Sequence, residues 1–112
     1  MAQNQNLSKE LDDLSKSTIA LWGAGAQIDM VIEESAELIK AICKWNRYGG
    51  LENEGKIIDE LADMAVVLNH LRVIMGVSQD ELDLYIQGKI IRTRARLAEL
   101  ESLEDIPEDP HY

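Results

Sequence analysis

The chain has 112 residues, of which 46% are hydrophobic and 29% charged, and its formal net charge is −10. This length and composition suit one globular domain, and the acidic charge disfavours nucleic acid, because phosphate backbones select basic surfaces. No stretch approaches the roughly 20 apolar residues of a membrane helix. With no signal peptide and a single cysteine, we predict a cytoplasmic protein that contacts no membrane.

The first half of the chain predicts two helices. Leucines spaced four and three apart predict an amphipathic helix over residues 7–20, which the Gly-containing segment 22–25 then breaks. A second helix is predicted over residues 27–48, with a largely aliphatic core stripe that includes Val31, Ile32 and Leu38. Two glycines after residue 48 end this helix, and a short polar loop is predicted over residues 51–55.

The second half predicts two more helices. The third is predicted over residues 56–75, with a core stripe that includes Leu61. A second row, nearly opposite, is mostly apolar too, which favours a subunit interface in so small a chain. The fourth, to about residue 103, begins with a capping box in which Ser78 is the N-cap and Glu81 the N3 residue.

Strand signals are nearly absent, so we predict an all-α fold. It is a four-helix antiparallel bundle that forms one domain over residues 1–103 and assembles as an oligomer. The acidic, proline-containing segment 104–112 is predicted to be a loose tail.

Two acidic pairs flank the predicted core stripes. Glu34 and Glu37 share one side of the second helix, and Glu60 and Asp63 share one side of the third. Their neighbours on those rows are small or apolar and not lysines. Converging carboxylates either raise their pKa values or bind cations, and an all-oxygen set suits Mg²⁺, or Mn²⁺, better than zinc. Such pairs also arise by chance, and most of them are solvated helix faces.

Residues 33–38 read EESAEL and residues 59–64 read DELADM. The pattern is E-x-x-E, a spacer of 22 residues, then E-x-x-D. It resembles the signature of the MazG-like, all-α nucleoside triphosphate pyrophosphohydrolases. The resemblance covers about residues 20–98.

This resemblance implies a function. Such a protein forms a homodimer or homotetramer and hydrolyses a (deoxy)nucleoside triphosphate to the monophosphate and pyrophosphate, for nucleotide-pool cleansing or control. A metal-activated water would attack the α-phosphorus. The implied Mg²⁺ ligands are Glu34, Glu37, Glu60 and Asp63.

Other residues are weaker candidates. Glu33 is a candidate for orienting the water, or else a solvated residue. Lys89 and Arg92 on the fourth helix are candidates for phosphate binding, or else for surface ion pairs. A further three residues are candidates for binding the base or sugar, although the tryptophan and the histidine among them are more often structural residues in such positions. These three are Trp45, Asn46 and His70.

A second function remains open at this stage. The chain could be a non-catalytic helical module that binds nucleotide or mediates oligomerisation and regulation. The presence of all four acids in the sequence favours the enzyme.

Overall fold

A computed structural model describes the backbone of residues 2–103 and the side-chain surroundings from residue 6 onwards. It contains four helices and, within these residues, no strand, which confirms the all-α prediction. The predicted tail over residues 104–112 lies outside the described residues. The helices are α1 (Ala2–Trp22), α2 (Ala24–Tyr48), α3 (Leu51–Ile74) and α4 (Gln79–Glu101).

The chain divides into two compact units. The first ends at Val77 and holds α1, α2 and α3, and the second begins at Ser78 and holds α4. Of the helices in the described residues, none taken singly is long and apolar enough to cross a membrane.

Glycines in left-handed backbone conformations separate the helices of the first unit. Gly23, with φ 91°, is the single residue between α1 and α2, while Gly49 and Gly50, with φ of 62° and 90°, separate α2 from α3. Other residues rarely adopt such φ values, so these positions fix where the helices break. The predicted helix end at Gly49 is confirmed, and the backbone N–H of Gly49 donates to the Trp45 carbonyl at 2.7 Å.

The predicted polar loop over residues 51–55 is wrong, because α3 already begins at Leu51. Glu52 and Glu54 lie in its first turn, where carboxylates interact favourably with the helix dipole. The side-chain amide of Asn53 also donates to the Gly49 carbonyl at 2.8 Å. Helix α3 therefore begins before the start that hydrophobic periodicity predicts.

The helices α1 and α2 both pack against α3. On α1, Ser15 contacts His70 near the end of α3. On α2, the Ser35 hydroxyl approaches the Met64 sulfur at 3.8 Å, nearer the start of α3. The contact between α1 and α2 is the smallest of the three helix pairs. Thus α3 packs against both α1 and α2, and the helices of the first unit form a helical bundle.

The buried interior of the chain is small and differs from the predicted core stripes. Ile32 and Leu61 belong to the predicted stripes of the second and third helices, but they are 64% and 53% exposed. On α3 the buried residues are Val67 and His70, which lie on the row that continues from Glu60 and Asp63. The buried residues of the segment 6–103 are Ser15, Gln27, Ala41, Val67 and His70.

In the second unit, Ser78 caps the start of α4 as predicted. Its hydroxyl oxygen accepts the backbone N–H of Glu81 at 3.1 Å.

Ser78→Ala is expected to destabilise the first turn of α4 by about 1 kcal/mol, because the Glu81 N–H loses its acceptor. Faster hydrogen exchange at the Glu81 amide would report the loss. Thr93→Ala is the control on the same helix, and unchanged exchange in Ser78→Ala would contradict the capping role.

Candidate functional site

Three carboxylates meet between α2 and α3. One oxygen each from Glu34, Glu60 and Asp63 lies within 4.8 Å of the other two. The antiparallel packing of α2 on α3 brings them together, and the i, i+3 spacing puts Glu60 and Asp63 on one side of α3. Glu34 and Glu60 are half-buried, and Asp63 is exposed. Three of the four acids predicted as metal ligands therefore converge.

The charge in this cluster is poorly compensated. Glu60 Oε2 is buried and has no hydrogen-bond partner among the described residues. Burial raises the pKa of Glu60, as do the nearby charges of Glu34 and Asp63, a hydrogen bond shared with Glu34 and, last, the charge of Glu37. A buried acceptor without a donor, beside like charges, is the environment that a divalent cation relieves. Carboxylate oxygens are the donors that Mg²⁺ prefers.

Glu37 is close enough to influence Glu60 but is not one of the three convergent acids. It faces a cleft of about 200 Å³ that Glu60 also lines. Several lysines also line this cleft. These lysines are Lys40, Lys44 and Lys56.

A larger cavity of about 520 Å³ adjoins the carboxylates on the other side, beside the helix break at Gly23. Glu34 and Asp63 form part of its wall, and most of the remaining lining is apolar. Ligand pockets in proteins commonly have this size and character. The other lining residues are Thr18, Trp22, Ala26, Gln27, Met30, Val66, Val67 and His70.

A chain of hydrogen bonds between α1 and α3 holds His70 in the cavity wall. His70 Nδ1 lies 2.7 Å from the hydroxyl of Ser15, which is fully buried. The Asn69 side-chain amide donates to this hydroxyl at 2.8 Å and to Asp12 Oδ1 at 3.1 Å. Arg72 forms an ion pair with the same Asp12 oxygen. Burial lowers the pKa of His70, because desolvation disfavours the charged ring.

Three of the remaining predicted site residues lie elsewhere in the first unit. Glu33 is exposed and outside the carboxylate cluster, and Trp45 and Asn46 are exposed near the end of α2. Neither Trp45 nor Asn46 lines the cavity or the lysine cleft. Lys89 and Arg92 lie on α4, in the second unit. Their proposed roles stay predictions.

Three residues of this region have no counterpart among the predicted site residues. Ser15 and Gln27 are polar residues buried beside the cavity, and Trp22 lines it. Only Trp22 carries a signal in the sequence, as an aromatic residue at a helix break. Comparisons with protein-family models, curated proteins and solved structures returned no match.

Proposed function

We propose that the protein is a Mg²⁺-dependent nucleoside triphosphate pyrophosphohydrolase of the MazG-like type. It would convert a (deoxy)nucleoside triphosphate to the monophosphate and pyrophosphate. The observation that carries this proposal is the carboxylate cluster of Glu34, Glu60 and Asp63, which lies between an apolar cavity and a lysine-lined cleft. The E-x-x-E motif supplies Glu34, and the E-x-x-D motif supplies Glu60 and Asp63.

The three clustered acids would hold the metal, with Glu37 beside them. When bound, Mg²⁺ supplies positive charge to phosphate oxygens and acidifies a coordinated water for attack on the α-phosphorus. Glu60 suits a ligand role because its buried Oε2 has no partner among the described residues. Asp63 and Glu34 also line the cavity, so a nucleotide held there would have its α-phosphate near the cluster.

The lysine cleft gives the phosphate chain a cationic environment. Lys40, Lys44 and Lys56 line it together with Glu37 and Glu60. Ammonium groups bind phosphate as point charges, and they would offset the negative charge of the acids as the pyrophosphate leaves. In this arrangement the nucleoside half occupies the cavity and the terminal phosphates occupy the cleft.

The proposal includes assembly as a homodimer or homotetramer. Few of residues 6–103 are buried in the single chain, while large apolar side chains on α2 and α3 are exposed. On α3, for example, Ile58 and Leu61 lie three residues apart and are 68% and 53% exposed. Contiguous apolar surface of this kind marks protein contacts.

Ile39→Asp tests this assembly. Ile39 is 61% exposed on α2. A carboxylate at this position is therefore buried only if another subunit covers it, and burial of an unpaired charge would weaken that contact. Sedimentation is expected to give an oligomer for the unmodified chain and a smaller species for Ile39→Asp. Ser17→Asp, at an exposed position of α1, is the control. A monomeric unmodified chain would contradict the assembly.

The alternative function is a non-catalytic helical module that binds nucleotide or mediates oligomerisation. The exposed apolar residues of α2 and α3 are the observation that favours it. Both functions involve self-association, so turnover separates them.

The experiment is a substrate panel. The protein is incubated with canonical and modified (deoxy)nucleoside triphosphates, with Mg²⁺ or with a chelator, and monophosphate and pyrophosphate are both measured. The enzyme is expected to release the two products in equal amounts, and only with metal. Failure to turn over any substrate would reject the enzyme and favour the non-catalytic module.

A further inference from the structure

The inner wall of the cavity carries two buried polar side chains with free hydrogen-bonding atoms. His70 and Gln27 are 4% and 6% exposed, and both line the cavity. Ser15 engages His70 Nδ1, but among the described residues no protein partner engages His70 Nε2 or the Gln27 carboxamide. The polar atoms of both side chains retain some accessible surface, and both residues line the cavity, so these atoms reach the cavity space. Buried polar groups without protein partners mark where a ligand supplies the partner.

The hydrogen bonds around Ser15 determine which nitrogen of His70 carries the proton. The two hydrogens of the Asn69 amide go to Ser15 Oγ and Asp12 Oδ1. The Ser15 hydroxyl is therefore an acceptor for Asn69, and its own hydrogen has one acceptor within reach, His70 Nδ1. A neutral imidazole that accepts at Nδ1 carries its proton on Nε2. His70 thus presents an N–H donor to the cavity.

We infer that the cavity binds the base of the nucleotide, with His70 Nε2–H donating to an acceptor atom on the base and Ser15 acting as the positioning residue that fixes the donor. The Gln27 carboxamide offers both a donor and an acceptor and is the second polar group on this wall of the cavity. The apolar walls contributed by Met30, Val66 and Val67 suit the faces of a flat heterocycle. This inference rests on the proposed function and assigns its base-recognition site.

The first test examines the tautomer directly. Long-range proton–nitrogen NMR of the imidazole rings at pH 7.5 distinguishes Nε2–H from Nδ1–H, and loss of a signal in His70→Gln identifies His70. The expected form is Nε2–H in the unmodified protein, a mixture in Ser15→Ala, and Nε2–H again in the control Ser17→Ala. An Nδ1–H ring in the unmodified protein would overturn the inference without any ligand present.

The second test separates the base from the phosphates. Dissociation constants are measured with Mg²⁺ for α,β-imido deoxynucleoside triphosphates and for inorganic tripolyphosphate, which has no base. His70→Leu is expected to weaken binding of the preferred nucleotide by roughly 3- to 10-fold and to leave tripolyphosphate binding unchanged, because one hydrogen bond is lost. His70→Gln, which keeps an amide donor, is expected to recover most of the nucleotide affinity.

The outcomes distinguish this inference from the proposed function. If the unmodified protein turns over nucleotides while His70→Leu binds them as tightly as before, the base site is wrong and the hydrolase stands. If nucleotide and tripolyphosphate both fail to bind the unmodified protein, the hydrolase and the base site fail together. Equal weakening of nucleotide and tripolyphosphate by His70→Leu would mean a structural role and would also overturn the inference.

Discussion

Asp63→Asn is expected to lower kcat/KM for the best nucleoside triphosphate by at least about 100-fold, since even indirect supports of a metal site contribute 10- to 100-fold. Asp63 is one of three acids whose oxygens lie within 4.8 Å of one another, and it lines the cavity as well. The amide keeps the size of the side chain but removes a negative charge that would hold Mg²⁺. Steady-state kinetics at saturating Mg²⁺ measure the effect.

Asp29→Asn is the matched control for this substitution. Asp29 is an exposed acid on α2 that lies outside the convergent cluster and lines neither the cavity nor the lysine cleft. The same chemical change there is expected to alter kcat/KM by less than about 10-fold, because long-range electrostatics near a surface are screened. Equal losses in Asp29→Asn and Asp63→Asn would mean that net charge, and not the cluster, controls turnover.

Asp12→Ala is expected to lower the free energy of unfolding by about 2 to 3 kcal/mol. The side chain of Arg72 is only 9% exposed, and Asp12 is its ion-pair partner on the facing helix. Removing Asp12 leaves a nearly buried guanidinium unpaired and deprives the Asn69 amide of an acceptor. The Arg72 contact with the Val77 carbonyl at 2.7 Å persists and keeps the charge in place.

Asp13→Ala is the control for Asp12. Asp13 forms an exposed pair with Lys9 one helical turn earlier, at 3.2 Å. Such pairs contribute only about 0.3 to 0.5 kcal/mol. Urea unfolding of both variants at one fixed protein concentration gives the comparison, because oligomers become more stable as concentration rises. Similar stabilities of the two variants would show that the buried network contributes little.

Features encoded by local chemistry could be predicted from the sequence. Ser78 caps α4 because its hydroxyl reaches a backbone N–H three residues on, and Gly49 ends α2 because it tolerates a left-handed backbone. The side of the helix shared by each acidic pair could also be predicted, because residues with an i, i+3 spacing lie on one side whatever packs against the helix. Of these acids, Glu37 is the one that packing leaves outside the cluster.

Features that depend on how the helices pack could not be predicted. A helix that is apolar all round does not reveal its inward row, so Leu61 was assigned to the core while Val67 and His70 are buried instead. Gln27 and Ser15 look like ordinary surface residues in the sequence. Only the pairing of α1 with the second half of α3 buries Ser15 against His70.

Hydrolysis in water enriched in oxygen-18 tests the central proposal most directly. Mass spectrometry of both products reports which phosphorus the water attacks. The expected result is one labelled oxygen in the monophosphate and none in the pyrophosphate, with Mg²⁺ required and with Asp63→Asn producing little of either. Label in the pyrophosphate, or no labelled monophosphate from any nucleotide, would contradict the proposed pyrophosphohydrolase.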